Sequence, residues 1–382
     1  MKKQINKSFV YGVSVAGDNF TDRVKETKRL KMDFENGLNV VLISPRRTGK
    51  TSLVKKVQQS VDSDILQTVY MDIYDCRSEY DFYNRFAETI LRQTSNKTEI
   101  FLEKIKSFLT RLTPKIAFSV DPNNEFSVSL GITPKEYKPE EILQLPELIA
   151  QQMGKHLVIC IDEFQQVAEW PDSLQIQKRM RGVWQHQEHV SYCLFGSKQH
   201  MMNKLFQNKK MPFYQFGEPN YLQPISTEDW IPFIQKKFSD KGLVISERFV
   251  REICDVVNNQ SSYVQQLAWN VMINTEGEVD TESINEGIKD LLTQCTPLFM
   301  EQISSLTSYQ MNFLRAILSG QHNQFTSQAV LSAYQLGTKS NISRIQEALL
   351  EKDFIVAAED GIFLSDPVME LWLKTKTLSV NC

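Results

Sequence analysis

The feature that most constrains the fold of this chain is an apolar segment that leads, through a short loop, into a helix. Residues 39–43 read NVVLI, the loop reads SPRRTGK, and the helix begins with TSLVKKV. Gly49, Lys50 and Thr51 meet the end of the pattern G-x-x-x-x-G-K-[ST], whereas Ser44 stands at its first glycine. A strand, this loop and a helix in that order predict a P-loop, a backbone cradle for phosphate, within an α/β sheet.

The side chains of this loop are of the types that bind a nucleoside triphosphate with Mg²⁺. Gly49 allows the backbone to approach a phosphate, Lys50 can reach the β- and γ-phosphates, and the Thr51 hydroxyl can ligate Mg²⁺. Arg46 and Arg47 could touch phosphate or be solvated. We predict that ATP contacts the whole loop: Ser44, Pro45, Arg46, Arg47, Thr48, Gly49, Lys50, Thr51 and Ser52. The alternative is a chance Gly-Lys-Thr at the start of a helix.

A second apolar segment, HLVICIDE at residues 156–163, ends in two carboxylates. Asp162 is predicted to hold Mg²⁺ through water. Glu163 is predicted to orient and deprotonate the water molecule that attacks the γ-phosphate. Many strands end in acidic residues, so this pair alone indicates little. Downstream of a P-loop, however, it supplies the second half of one Mg-nucleotide site.

A third apolar segment, YCLFGSK at residues 192–198, ends in Ser197 and Lys198. Either side chain could reach the γ-phosphate as a sensor, and an ordinary turn at the end of a strand is the alternative. The predicted catalytic residues are Glu163, Lys50 and Ser197, and the predicted Mg²⁺ ligands are Thr51 and Asp162.

Short apolar runs that alternate with longer amphipathic segments extend this α/β pattern to about residue 225. Several runs are apolar at consecutive positions, as expected for strands that are covered on both faces. The predicted core strands are residues 39–43, 68–73, 157–161, 191–195 and 221–223. Between the second and third strands, alternating apolar residues flank the turn sequence DPNN and predict an inserted hairpin at about residues 113–133.

After Pro224 the pattern changes to helices with apolar residues at three- and four-residue spacing. Four such segments follow, at residues 230–238, 247–258, 263–273 and 282–292. Three more helices and two short strands then follow in the order of a winged helix, at residues 308–318, 327–334, 340–351, 354–358 and 361–364. We therefore predict a P-loop domain at residues 1–225, an all-α lid at 226–298 and a winged-helix domain at 299–382.

The segments SPRRTGKTSL, ICIDEFQQ and LFGSK, in this order and at these distances, resemble the archaeal-type ATPase family of the AAA+/STAND P-loop NTPases. The resemblance covers nearly the whole chain and implies an ATPase with an ASCE-type P-loop domain, a helical lid and a C-terminal winged helix. FTDR at residues 20–23, with Glu26, resembles the F-x-x-R-x-x-E box of that family. This box lies near the nucleotide base, so the resemblance adds Arg23 to the predicted nucleotide contacts. YVQQLA at residues 263–268 resembles the lid helix of the family.

Two departures from the family pattern predict slow turnover. Relatives often carry Gly-x-Pro before the lid helix, where this chain has NQS at residues 259–261. Many carry Tyr-Gly-Arg after the sensor strand, where this chain has FYQF at residues 213–216 and so lacks a γ-phosphate-sensing arginine. Arg179 and Arg181 could substitute for it or be solvated at the surface. A slow switch follows more naturally from these departures than a fast motor.

Three functions fit these features, and we favour the first. It is a nucleotide-controlled switch, a slow Mg-dependent ATPase in which ATP closes the lid and repositions the winged helix for a protein partner or for self-association. The second is a DNA-binding initiator- or transposition-type AAA+ ATPase. The third is a non-catalytic interaction protein with a retained nucleotide site. The presence of Lys50, Thr51, Asp162 and Glu163 argues against the third.

Charge argues against DNA as the main partner. The chain has 43 Lys and Arg residues against 46 Asp and Glu, so no global positive field recruits nucleic acid. Residues 306–376 contain six basic and seven acidic residues. Glu359 and Asp360 lie at the predicted tip of the wing, where a DNA phosphate would favour Lys or Arg. No apolar run is long enough to span a membrane, so we expect a cytoplasmic protein without a membrane partner.

Overall fold

The computed structural model of the chain describes residues 8–94, 117–120, 126–129 and 138–378. The described residues fold into two compact units. The sheet unit consists of Arg23–Arg46 and Lys50–Leu222. The helical unit consists of Arg47–Gly49 together with the described residues before Arg23 and after Leu222. No helix in the described ranges is long and apolar enough to cross a membrane.

The sheet unit is built on parallel strands that follow the predicted apolar runs. They are β1 (Val40–Ile43), β2 (Leu66–Asp72), β5 (His156–Asp162), β6 (Val190–Gly196) and β7 (Glu218–Tyr221). Their order in the sheet is β2-β5-β6-β1-β7. β1 and β6 are buried along their whole length, which explains why they are apolar at consecutive positions. Since β6 separates β1 from β5, the sheet has the ASCE arrangement and confirms the predicted fold class.

Helices flank this sheet, and aromatic packing beneath them fixes the backbone that follows β5. The helices are Val24–Glu35, Lys50–Gln58, Glu79–Thr94, Pro139–Met153, Ser173–Trp184 and Gln199–Gln207, with a 3-10 helix at Phe164–Ala168. Trp184 stacks on Tyr192 with ring centroids 4.1 Å apart, and Phe164 meets Phe213 edge to face at 5.2 Å. Because Phe164 directly follows Glu163 in sequence, this packing anchors the chain beside the acidic pair.

The last strand of the sheet lies earlier in the chain than predicted. The hydropathy pattern placed it at residues 221–223, whereas β7 spans Glu218–Tyr221. Three of its four residues are exposed, and Pro219 has no N–H to donate. An edge strand tolerates both features, because only one of its sides is hydrogen-bonded to a neighbour. The prediction was therefore wrong for a strand that has no apolar signature.

Two short strands lie where the inserted hairpin is predicted. β3 (Ala117–Val120) pairs antiparallel with β4 (Phe126–Ser129). The predicted DPNN turn and the other residues of the 113–133 insertion lie outside the described residues.

The helical unit begins with four helices, Thr227–Ser239, Glu247–Val256, Ser261–Ile273 and Thr281–Ser304. The winged helix follows as Ser308–Leu318, Gln328–Ala333, Lys339–Glu351, β8 (Ile355–Ala358), β9 (Gly361–Leu364) and Pro367–Leu378. Thr307 and Gln310 form a capping box that starts the first of its helices, and β8 pairs antiparallel with β9. The helix predicted to end at residue 292 continues through Pro297 to Ser304, so the predicted boundary at residue 298 falls inside a helix.

Candidate functional site

The carboxyl ends of three neighbouring strands meet at one edge of the sheet. The strands β5, β6 and β1 are parallel and adjacent, in that order. β1 leads into Ser44, β5 ends at Asp162, and β6 ends directly before Ser197. In open α/β sheets this edge is where ligands bind. The structure therefore brings the start of the predicted P-loop, the acidic pair and the predicted sensor together at one edge, which we call the strand edge.

Lys50 opens the helix that follows the P-loop, and its side chain folds back over the start of the loop. It is 6% exposed, and its ammonium donates to the carbonyl oxygens of Ser44 at 2.9 Å and Pro45 at 2.8 Å. It also donates to the Ser44 hydroxyl at 3.2 Å. Ser44, which stands where the P-loop pattern has its first glycine, thus accepts hydrogen bonds from Lys50.

The P-loop passes through a left-handed backbone conformation at Gly49 and then enters a helix. Gly49 has φ of +91°, a conformation that residues with a Cβ rarely adopt, which explains the glycine at this position. The helix Lys50–Gln58 begins directly after it, so the unpaired N–H groups and the positive dipole end of that helix lie at the end of the loop. A buried ammonium at a helix N-terminus suits an anionic ligand.

Asp162 is buried at the end of β5, with its carboxylate between two hydroxyl groups. It is 4% exposed, and its Oδ2 accepts hydrogen bonds from Thr51 Oγ1 at 2.7 Å and Tyr70 Oη at 3.0 Å. Burial raises the pKa of Asp162 to about 6; the nearby Glu163 charge adds to this rise, whereas the two hydroxyl donors oppose it. The two predicted Mg²⁺ ligands, Thr51 and Asp162, are therefore in direct contact.

Glu163 is held by two donors on one oxygen. Its Oε2 accepts a hydrogen bond from Ser197 Oγ at 3.0 Å and another from the amide of Gln165. Its backbone has φ of +55°, and its N–H donates to Asp162 Oδ1 at 2.9 Å. Lys198, the other sensor candidate, pairs with Glu169 at 2.6 Å. Of the two candidates, Ser197 is the one that contacts the acidic pair.

Sequence reasoning missed Tyr70 and Gln165. Tyr70 lies on β2, 92 residues before the aspartate that it contacts, and no local pattern connects the two. Gln165 belongs to a Gln-Gln pair after the acidic pair, a composition typical of a solvated turn. For Tyr70 the available signal is the predicted parallel sheet, and for Gln165 it is the position two residues after Glu163.

The remaining predicted nucleotide contacts have different environments. Arg23 is 3% exposed and donates to Glu26 at 2.9 Å at the start of the helix Val24–Glu35, so its contact with a base stays a prediction. Arg46 is exposed in the loop. Thr48 and Ser52 are buried on either side of the Gly-Lys-Thr sequence.

The two arginines considered as γ-phosphate sensors are engaged elsewhere. Arg179 pairs with Glu79 at 2.8 Å and with Glu140 at 3.2 Å. The Arg181 guanidinium lies 4.9 Å from the ring centroid of Phe216. Phe216 ends the FYQF segment, so the arginine stacks on the residue that stands where many relatives have their sensing arginine.

Arg47, from the middle of the P-loop, belongs to the helical unit and makes a compact set of polar contacts there. Its guanidinium donates to Asp366 Oδ2 at 2.6 Å, bonds to the Tyr263 hydroxyl and lies 4.5 Å from the centroid of that ring. Tyr263 Oη donates to the same Asp366 oxygen at 2.8 Å. The Ser262 N–H donates to the Arg47 carbonyl at 3.1 Å. One loop residue is thus bonded to a lid helix and to the winged helix.

Comparisons with known proteins agree with this layout. A family model described as a probable winged helix domain matches residues 297–375. A Walker-type ATPase of Pyrococcus abyssi is similar over 96% of this chain and 100% of its own, with a TM-score of 0.70 and 16% identity. The ORC2 protein of Aeropyrum pernix, solved as ADPNP–ADP complexes, is similar over 94% of this chain and 96% of its own, with a TM-score of 0.58 and 13% identity.

The ORC1 protein of Aeropyrum pernix, solved in complex with DNA, is similar over 96% of this chain and 95% of its own, with a TM-score of 0.50 and 12% identity. No curated protein matches the chain in sequence. At such identities the similarity is one of fold, and it confirms the predicted resemblance to AAA+ ATPases. The chain therefore has the fold of the AAA+ P-loop ATPases, with a helical lid and a C-terminal winged helix.

Proposed function

We propose that this chain binds ATP with Mg²⁺ at the strand edge and hydrolyses it slowly, as a nucleotide-controlled switch. The observation that carries the proposal is the hydrogen bond between Thr51 and Asp162. It joins the end of the P-loop to the acidic pair across the sheet, so that the two halves predicted for one Mg-nucleotide site meet. The Walker-type ATPase of similar fold supports the same conclusion.

The residues at the strand edge fit such a ligand. Thr51 and Asp162 present oxygen atoms, which Mg²⁺ prefers, and Lys50 presents a buried ammonium near the start of a helix. Bound Mg²⁺ would neutralise charge on the β- and γ-phosphates. Lys50 and the N–H groups of the loop would hold those phosphates, and the Tyr70 hydroxyl keeps Asp162 oriented.

In the proposed reaction Glu163 is the general base. A water oxygen forms a bond to the γ-phosphorus, and one proton of that water moves to the Glu163 carboxylate. The bond between the γ-phosphorus and the bridging oxygen breaks, which leaves ADP and inorganic phosphate. Ser197 holds Glu163 through Oε2 and so fixes the direction from which the carboxylate meets the water.

The contacts of Arg47 support the switch. Its guanidinium binds the carboxylate of Asp366, and a phosphate group is a competing anionic partner for the same guanidinium. Movement of Arg47 to a phosphate would release Asp366 and Tyr263, and so alter the contact between a lid helix and the winged helix. Hydrogen exchange with and without Mg-ATP tests this. We expect faster exchange in the helix Pro367–Leu378 when ATP is bound, and identical exchange would contradict the switch.

Slow turnover is expected because the two arginines considered as γ-phosphate sensors are bound to other side chains. Arg179 and Arg181 are engaged with acidic and aromatic neighbours, so neither is placed to stabilise a transition state. We expect dilute protein to release phosphate from Mg-ATP at less than about 1 s⁻¹, the lower end of typical kinase rates. A partner protein, or a second copy that supplies an arginine, should accelerate it. Fast hydrolysis by dilute monomer would contradict the proposal.

DNA binding is the second candidate function. Lys339 and Arg344 are exposed on the third helix of the winged helix, the element that enters the major groove in helix-turn-helix proteins. The ORC1 protein of similar fold was solved with DNA. Glu359 and Asp360, exposed in the turn between β8 and β9, oppose a phosphate contact, so we rank this function second.

A further inference from the structure

Gln165 is a polar side chain inside the apolar core of the sheet unit. It is 1% exposed and lies in the 3-10 helix Phe164–Ala168, where Phe164 and Val167 are fully buried. Its amide nitrogen donates to Glu163 Oε2. Its Oε1 has no hydrogen-bond partner among the described residues. A buried amide with an unpartnered oxygen costs free energy, so its presence requires a reason other than packing.

The orientation of this amide follows from its neighbours. A carboxylate only accepts hydrogen bonds, so the NH₂ end of Gln165 must face Glu163, and the carbonyl end must face away. On that side lies Gly196, the last residue of β6, where an added Cβ would be 1.9 Å from Gln165 Oε1. The glycine therefore leaves the space that the amide occupies. The amide is fixed at one end by a hydrogen bond and at the other by the shape of the core.

We propose that Gln165 is a positioning residue for Glu163, an inference that rests on the proposed role of Glu163 as general base. Gln165 and Ser197 both donate to Oε2, and no described residue donates to Oε1. Two donors on one oxygen fix the plane of the carboxylate and direct Oε1 toward the attacking water. Proton transfer to a positioned base depends on this orientation, because the reacting atoms must lie within hydrogen-bond reach.

This role is tested by substitutions that remove the hydrogen-bond donor of Gln165 but keep the volume of its side chain in the core. Gln165→Met keeps the length and volume of the side chain but removes the donor. Gln165→Glu replaces the donor with a group that repels Glu163. We expect kcat for ATP hydrolysis to fall about tenfold in the first and about a hundredfold in the second. The affinity for Mg-ATP by calorimetry should stay within about twofold of wild type in both, since neither touches the phosphates.

Gln166, the half-buried neighbour of Gln165, supplies matched controls. Gln166→Met and Gln166→Glu make the same chemical changes one residue away and should leave kcat unchanged. Gln165→Met should also keep or raise the melting temperature, because it removes the unpartnered buried carbonyl. A lower melting temperature with a proportional loss of Mg-ATP affinity would assign Gln165 a structural role and overturn the inference. Wild-type kcat in Gln165→Met would also overturn it.

Glu163→Gln in the same assay separates this inference from the proposed function. If Glu163→Gln loses turnover while Gln165→Met retains it, only the positioning role fails. If Glu163→Gln turns over at the wild-type rate, the base is misassigned and both proposals fail. A double substitution, Gln165→Met with Ser197→Ala, adds a further check. Because both donors act on one oxygen, their effects on kcat should not multiply, and simple multiplication would contradict the shared role.

Discussion

The strand edge and the winged helix both carry polar side chains for which the sequence predicts a function. The two regions differ in how far those side chains are exposed to solvent. At the strand edge, Lys50, Asp162 and Ser197 are 4–6% exposed, and each bonds to another polar group. In the winged helix, Lys339 and Arg344 are exposed. The first arrangement removes charges and hydroxyl groups from water, whereas the second leaves them solvated.

This difference indicates where the specific chemistry of the chain lies. Burial of charged and polar groups costs free energy that exposed groups do not lose, and a fold retains such a cluster only where its members support one another or a ligand. Exposed charges carry no comparable cost and therefore indicate little about function. This contrast supports the proposal that nucleotide chemistry takes place at the strand edge and that the winged helix acts mainly through contacts with protein.

The largest effect should come from Glu163→Gln. The amide cannot accept the proton of the attacking water, so we expect turnover to fall by about 10²- to 10⁴-fold, the usual contribution of a general base. The affinity for Mg-ATP should remain close to that of wild type. Glu188→Gln, at an exposed position, is the matched control and should turn over normally. Retained turnover in Glu163→Gln would place the base elsewhere. It would also weaken the proposal that the chemistry takes place at the strand edge and not in the winged helix.

The buried state of Asp162 should be visible as a pH dependence of Mg²⁺ binding. Because its pKa lies at about 6, protonation competes with Mg²⁺ below that pH. We expect the apparent affinity for Mg²⁺, measured at constant nucleotide, to weaken about tenfold between about pH 7 and pH 5. An affinity independent of pH over that range would show that Asp162 does not bind the metal.

Asp162 should also make the free energy of unfolding depend on pH. Raising the pH should strengthen Mg²⁺ binding but lower the stability of the fold. The folded pKa of Asp162 lies above the ordinary value of 3.8, so its stabilising contribution is present at low pH and is lost as the pH rises through about 6. Asp162→Asn, which cannot ionise, should therefore be more stable than wild type at about pH 8, by up to about 3 kcal/mol, and not at about pH 4. Asp255→Asn, at an exposed position, should show no such difference. A stability difference independent of pH would contradict the buried, raised-pKa state.

The smallest effect is expected for substitutions in the winged helix on the affinity for DNA. Residues 306–376 carry a net charge of −1, and non-specific binding depends on a basic face. Fluorescence anisotropy with mixed duplex DNA at about 50 mM salt should give binding weaker than about 1 μM. The double substitution Lys339→Glu/Arg344→Glu should change it little. Submicromolar binding that falls steeply with salt and disappears in the double variant would favour the initiator-like function.

Much of this architecture follows from local sequence. Hydropathy patterns of consecutive residues predict the strand before the P-loop and the three helices of the winged helix. They also predict β5, which ends at the acidic pair. β7 was misplaced because an exposed edge strand that contains Pro219 needs no apolar pattern. Tyr70 was missed because only the folded sheet brings it near Asp162, 92 residues away. Gln165 was missed because the sequence does not show that its side chain is buried and donates to Glu163, two residues before it. Sequence therefore predicted the elements of the site, but not the side chains that orient it.

The central claim, that the strand edge binds Mg-ATP through the P-loop, is tested most directly by calorimetry with Lys50→Ala. The ammonium offsets phosphate charge in a buried site, so its removal should weaken Mg-ATP binding by about 1.5–3 kcal/mol, roughly tenfold to a hundredfold. Lys56→Ala, at an exposed position of the same helix, should bind like wild type. Equal affinities of wild type and Lys50→Ala would contradict the assignment of the nucleotide site.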